Sequence, residues 1–185
     1  ATLVDVQHTF RQFIQDQAFD HSLFLEHVHP TQLGYFLLGE AYFAALKKSL
    51  GQMMRHPLQA VFTAQQAQQW IPITELDRRY ANEKIRNLVN GYPFTNNPKN
   101  LAAPIPSDAV GVLLVQKLQG QSWLQLQQGL VNVYQQQQAL DKAAKVVGVI
   151  ADALVHDATA QNSAAQLFRE IKQFRLAYYH QKQAL

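Results

Sequence analysis

The part of the chain that follows Gly120 is helical in pattern almost throughout, and it repeats its own spacing at one fixed shift. The shift aligns Tyr134 with Phe168, Leu140 with Phe174, and Ala143 with Ala177. An aromatic, a bulky and a small residue therefore recur in the same order. One such unit cannot bury its apolar face alone, so this pattern predicts helical hairpins that stack on one another.

This spacing resembles the tetratricopeptide repeat, whose period of about 34 residues equals the shift that carries Tyr134 onto Phe168. That family has an aromatic in its first helix, a bulky residue at the start of the second, and a small residue where the two cross. The glycine-type position holds Val131 in one copy and Ala165 in the other, and the usual proline between repeats is absent. The resemblance implies a groove for a protein or peptide partner, with Asn132, Gln136 and Arg169 on its polar face.

A plain helical bundle is the alternative interpretation of the same segment. An apolar stripe that starts at Leu140 and ends at Leu154 would then serve ordinary packing. Under either interpretation we expect helical hairpins. Because two hairpins bury little surface, they must also stack on a preceding helix, on the N-terminal half or on another chain.

The rest of the chain predicts a mainly α fold in three parts: 1–51, a helical connector over 52–106 with a loop rich in Pro and Asn, and the repeat segment 107–185. The first six residues predict a short buried strand, followed by a helix around Phe10. Pro30 with Thr31 predicts the start of the next helix, and Thr74 with Asp77 predicts a capping box. Helix signals also place a cap at Ser107 and a stop at Gly120.

Residues 24–30, with the sequence FLEHVHP, contain the residue types that acyl transfer needs. A serine hydroxyl is a weak nucleophile at neutral pH, so it requires an imidazole as general base and a carboxylate that fixes the tautomer of that imidazole. Glu26 and His29 stand three positions apart, directly before Pro30. This block resembles the last catalytic block of SGNH (GDSL-type) hydrolases, and the resemblance covers 1–51.

The resemblance implies that His29 is the general base and that Glu26 orients it, where the family more often has Asp. It also implies that Gly34 and Ala41 belong to a close-packed final helix. A second interpretation gives Glu26 and His29 a purely structural role at a helix entrance. A third makes Glu26, His27 and His29 a metal site, although no further ligand is evident.

The family's other blocks are absent from this sequence, which has no Gly-Asp-Ser motif and no Gly-x-Asn-Asp motif. Its five serines stand in other contexts; Ser22 is only four residues from Glu26, and Ser107 is a predicted helix cap. We therefore expect this segment alone not to hydrolyse esters. Because it opens directly on an apolar run, we expect it to be cut from a longer protein that supplies the nucleophile.

Three functions are compatible with these patterns. The first is the C-terminal part of a serine ester or acetyl hydrolase, fused to helical repeats that bind a protein. The alternative is a non-catalytic tetratricopeptide-like scaffold. A third, purely structural interpretation makes the chain a helical dimerisation unit. If the N-terminal strand forms, its exposed edge must be covered by helices or by a second chain, so self-association is also expected.

The composition of the chain argues against several other kinds of site and function. The chain has no cysteine, which rules out disulfides and Cys-based metal sites within it, and no cofactor is predicted. Its net charge of +3 comes from scattered residues without a basic run, so nucleic-acid binding has little support. No apolar run is long enough to span a bilayer, and the cellular compartment is left open.

Overall fold

The computed structural model describes residues 3–15, 22–26, 28–51, 69 and 71–185, and in this part of the chain it contains eight helices and no strand. The predicted mainly α-helical fold is therefore confirmed. The helices are α1 (Val6–Phe13), α2 (Gln32–Gly51), α3 (Glu75–Leu88), α4 (Ala109–Leu118), α5 (Trp123–Gln136), α6 (Leu140–Ala153), α7 (Ala158–Glu170) and α8 (Phe174–Gln183).

The chain divides into two compact units, one ending at Ile71 and the other beginning at Pro72. The division falls inside the predicted connector 52–106, and α3 belongs to the second unit. None of the helices in the described residues combines the length and the apolar character needed to cross a membrane.

The strand predicted over the first six residues is wrong for the four of them that the structure describes. Asp5 caps α1 by accepting a hydrogen bond from the N–H of His8 at 2.9 Å, so Val6 is already helical. An N-cap aspartate satisfies a helix donor that a strand would not offer. Leu3 is 90% exposed, and without a strand edge the reason given above for self-association no longer holds.

The capping box predicted at the start of α3 is confirmed, because Thr74 and Asp77 exchange side-chain and backbone hydrogen bonds there. The cap predicted at Ser107 is wrong by one residue. Asp108 has the extended backbone of an N-cap and accepts from the N–H of Gly111 at 2.6 Å. Gly120 has a φ of 93° and follows the end of α4, as predicted.

The last four helices form two hairpins, α5–α6 and α7–α8, whose turns have the same geometry. Gln138 and Lys172, which the repeat shift aligns, have φ values of 57° and 61°. The next residues, Ala139 and Gln173, have φ and ψ of −87° and 63° and of −85° and 63°. The two turns therefore share one backbone conformation at positions that the repeat shift aligns.

Candidate functional site

Residues 22–26 and 28–31 form the two sides of a tight loop that leads into α2. The N–H of Leu25 donates to the carbonyl of His29 at 2.8 Å, and the N–H of Thr31 donates to the carbonyl of Leu23 at 2.8 Å. These two backbone hydrogen bonds join one side of the loop to the other.

Thr31 fixes this loop to the first turn of α2. Its hydroxyl donates to the carbonyl of Ser22 at 2.7 Å and accepts from the N–H of Gly34 at 3.1 Å, which is the geometry of a helix N-cap. A Cβ at Gly34 would lie 2.9 Å from Cβ of Pro30 and would collide with the carbonyl of Leu23. The loop can approach the helix this closely only because residue 34 has no side chain.

Apolar side chains of the loop pack against α1 and α2. Leu23 is completely buried and forms a core cluster with Phe10 and Leu37. The rings of Phe10 and Phe24 meet edge to face, with centroids 5.6 Å apart. The loop is thus anchored on both α1 and α2, which gives its polar side chains a fixed base.

Glu26 is the polar centre of the loop. Its Oε2 accepts from the N–H of Val28 at 3.0 Å, and its Oε1 accepts from the N–H of His29 at 3.1 Å and is also hydrogen-bonded to Nδ1 of the His29 ring. Burial alone would raise the pKa of Glu26, but the hydrogen bonds from the His29 ring and the Val28 backbone outweigh it, so the pKa lies below its usual value. The carboxylate is therefore ionised at neutral pH.

The imidazole of His29 has one side against this carboxylate and the rest open. Its side chain is 61% exposed, whereas that of Glu26 is 4% exposed. Because an ionised carboxylate can only accept, Nδ1 of the neutral ring carries the hydrogen and Nε2 carries the lone pair. This is the tautomer that a general base needs, and the pair predicted from sequence is brought together.

The serines of the chain lie in varied places. Ser22 is at the base of the loop, where its carbonyl accepts from Thr31, and Ser49 is in α2. In the second unit, Ser107 and Ser122 precede helices, and the hydroxyl of Ser163 donates to the carbonyl of Thr159 at 2.8 Å.

The metal alternative depends on His27, which lies outside the described residues. Among the residues that the structure does describe, no group of three metal-binding side chains is assembled.

The residues predicted to form a polar binding face lie in α5 and α7. Asn132, Gln136 and Arg169 are all exposed, while Tyr134 and Phe168, the aligned aromatics, are buried in the hairpin cores. The three polar side chains are therefore accessible to solvent, and a binding face formed by them stays a prediction.

A buried polar cluster that links α3 to α5 was missed by the sequence analysis. Trp123 donates from Nε1 to Oδ1 of Asp77 at 2.9 Å. The fully buried Gln127 donates from Nε2 to Oγ1 of Thr74 at 3.1 Å and to Oδ1 of Asp77 at 3.0 Å. Its members are far apart in sequence, so no local pattern announces their contact.

Charged groups extend this cluster to α4. The hydroxyl of Tyr134 donates to Oε2 of Glu75 at 2.8 Å. The guanidinium of Arg79 donates hydrogen bonds to the carboxylates of both Glu75 and Asp108. Burial acts to raise the pKa of Glu75, but hydrogen bonds from Arg79 and Tyr134 prevail and lower it. Each of these charged groups is satisfied by the others, so we assign this cluster a structural role.

No known protein family, curated protein or solved structure matches this chain.

Proposed function

We propose that the loop of residues 22–31 carries the general base of an SGNH-type serine hydrolase for ester or acetyl groups, with His29 as the base and Glu26 as its orienting carboxylate. One observation carries the proposal. A buried, ionised carboxylate is hydrogen-bonded to Nδ1 of an imidazole whose other side is open to solvent. A purely structural histidine at a helix entrance would not need this exposed second nitrogen.

In the proposed reaction the serine comes from a different polypeptide segment. Nε2 of His29 takes the hydroxyl proton as the serine oxygen attacks the ester carbonyl, and it then gives that proton to the leaving alkoxide. A water molecule, activated in the same way, releases the acyl group from the serine. Glu26 remains ionised throughout and stabilises the imidazolium that forms.

The test is turnover of p-nitrophenyl acetate by the full-length protein that supplies the serine. We expect His29→Ala to lower kcat/KM by about 10²- to 10⁴-fold, the usual contribution of a general base. Glu26→Gln should also lower it, because a neutral amide does not stabilise the imidazolium. His8→Ala, which removes another exposed histidine of the same unit, is the matched control and should leave turnover unchanged. Equal rates for wild type and His29→Ala would remove His29 from the mechanism.

A second candidate function is a non-catalytic, tetratricopeptide-like scaffold that binds a protein or peptide. It is supported by the recurrence of the same hairpin and the same turn at the repeat shift, with exposed polar side chains at Asn132, Gln136 and Arg169. In this view the loop around His29 is a folding element. The two functions are compatible, since the repeats could position a partner for the hydrolase.

The scaffold is tested on a partner captured by the chain. Alanine at Asn132, Gln136 and Arg169 together should weaken that partner's affinity at least about tenfold, a loss of about 1.4 kcal/mol. Asn96→Ala, at an exposed position outside the repeats, should have no effect. Unchanged affinity in the triple variant would contradict a partner groove on this face.

A further inference from the structure

The outer face of the last helix, α8, carries large exposed aromatic side chains. Phe174 is 65% exposed and Tyr178 is 70% exposed, and they stand four residues apart on one side of the helix. Lys182, four residues further along, is exposed on the same side. We call Phe174, Tyr178 and Lys182 the α8 face.

Two of the three equivalent positions in the first hairpin are covered, and the third, Leu140, is 41% exposed. In α6 the residues that the repeat shift aligns with the α8 face are Leu140, Ala144 and Gly148. Ala144 is completely buried, and a Cβ at Gly148 would lie 3.0 Å from the ring of Phe168, which belongs to α7. The second helix of one hairpin thus receives the first helix of the next.

The α8 face occupies the position in the second hairpin at which such a helix packs. We propose that it is a docking surface for an amphipathic helix of a partner protein, with acidic residues beside its apolar stripe. The partner's apolar side chains would pack on Phe174 and Tyr178. An acidic residue one turn away would reach Lys182. Exposed tyrosine and phenylalanine are residue types enriched at protein interfaces.

Charge determines which occupant the α8 face favours. Residues 172–185 contain Lys172, Arg175 and Lys182 and no acidic residue. A symmetric contact between two copies of α8 would bring together two segments whose charged side chains are all positive, which is unfavourable. An acidic helix brings the opposite charge, so a partner of this chemistry is favoured over a second copy. The proposed surface differs from the polar face around Asn132, so it does not depend on the proposed function.

The test uses two fluorescein-labelled amphipathic peptides of about 18 residues, long enough to form a helix, with a Leu stripe flanked by Glu in one and by Lys in the other. Fluorescence anisotropy is measured against the full chain. The Glu peptide should bind more tightly than the Lys peptide. Tyr178→Ala should weaken the affinity of the chain for the Glu peptide at least about tenfold, as expected for an aromatic residue in an interface. Lys182→Glu should reverse the preference between the peptides.

Tyr92→Ala is the matched control, because Tyr92 is 86% exposed and lies far from α8 in sequence. It should leave binding unchanged, and circular dichroism should show the same helix content in all variants. The proposal is overturned if the Glu peptide fails to bind up to about 1 mM, or if both peptides bind equally. Unaltered binding in Tyr178→Ala would also overturn it. The proposal is also overturned if sedimentation shows that the wild-type chain forms a dimer and that Tyr178→Ala dissociates it. A second copy of the chain would then be the occupant of the α8 face.

Discussion

At the scale of single residues, Glu26 shows how much a short spacing can determine. Its side chain folds back over the next three residues and meets both the backbone N–H groups of Val28 and His29 and the His29 ring. That contact is local, so the three-residue separation predicted it. The openness of the ring depends on what packs around the loop, which the spacing alone did not determine.

The lowered pKa of Glu26 gives the loop a pH dependence of known sign. A carboxyl whose pKa is lower in the folded than in the unfolded state stabilises the fold above its ordinary value of 4.5. This stabilisation is lost as the pH falls through the folded pKa. We expect the backbone N–H resonance of His29 to shift on acidification below 4.5, as followed by NMR, because protonation of Glu26 weakens the hydrogen bond between them. In Glu26→Gln the acid transition should be absent, and an identical transition there would contradict this account.

Gly34 offers a test of the close contact between the loop and α2. Gly34→Ala forces a Cβ against a backbone carbonyl that cannot move aside, so it should destabilise the first unit by about 1–3 kcal/mol. The matched control is Gly39→Ala in the same helix, where a Cβ would meet nothing within 4 Å. That change should stabilise α2 by up to about 1 kcal/mol. Urea unfolding measures both, and similar effects of the two substitutions would refute the contact.

The cap of α4 marks a limit of sequence reasoning at this scale. Ser107 and Asp108 are adjacent, and both residue types are good N-caps. The structure selects Asp108, whose carboxylate also accepts from Arg79 at 2.8 and 2.7 Å. Arg79 is 29 residues earlier in the chain, so the deciding contact could not be seen from local sequence.

At the scale of secondary-structure elements, periodicity was a better guide than short apolar runs. The repeat spacing predicted the hairpins because it samples many turns of helix. The strand prediction rested on a short run with only three apolar residues, and Asp5 within that run caps α1. A short run with a good helix cap inside it is ambiguous on physical grounds.

His180 in α8 is a buried polar residue. Its burial could have been predicted from the repeat alignment. The alignment places it on Val146, a buried position of α6. Its Nδ1 is hydrogen-bonded to Oε1 of Gln161 at 2.8 Å, and its ring stacks on Phe168 with centroids 5.3 Å apart. Burial lowers the pKa of His180, while the charge of Asp152 opposes this effect.

The second hairpin should therefore weaken in mild acid. Because the folded pKa of His180 is below 6.5, the unfolded state binds a proton first as the pH falls. Stability is full above 6.5 and is lost progressively on the way down to the folded pKa. Urea unfolding at several pH values should show this loss in wild type and a smaller loss in His180→Gln. Parallel curves for the two proteins would assign the pH dependence to other groups.

At the scale of the whole molecule, hydrogen bonds between distant segments define the second unit. Trp123, Gln127 and Tyr134 find their partners at the start of α3, far earlier in the chain. The sequence placed α3 in a connector because nothing local signals these contacts. A boundary at Pro72 rather than at 107 therefore keeps these three side chains in one unit with the acceptors of their hydrogen bonds.

Truncation tests this boundary. A fragment of residues 72–185 should fold alone, with a helical circular dichroism spectrum and a cooperative melt. A fragment of residues 107–185 leaves the buried Gln127 without its acceptors. It should be less stable by about 3 kcal/mol or more, because it loses four side-chain hydrogen bonds to residues 74–77, at roughly 1 kcal/mol each. Equal stability of the two fragments would show that α3 contributes nothing.

The matching turns at Gln138 and Lys172 also make the length of this region adjustable. Because residues 138–139 and 172–173 share one backbone conformation, we expect residues 139–172 to behave as a segment, or cassette, that can be duplicated. A second copy of residues 139–172, inserted after Lys172, would add two helices. The turns before and after the insert would keep their backbone conformation. Evolution or design could thus lengthen the array by duplication alone, without inventing a new connection.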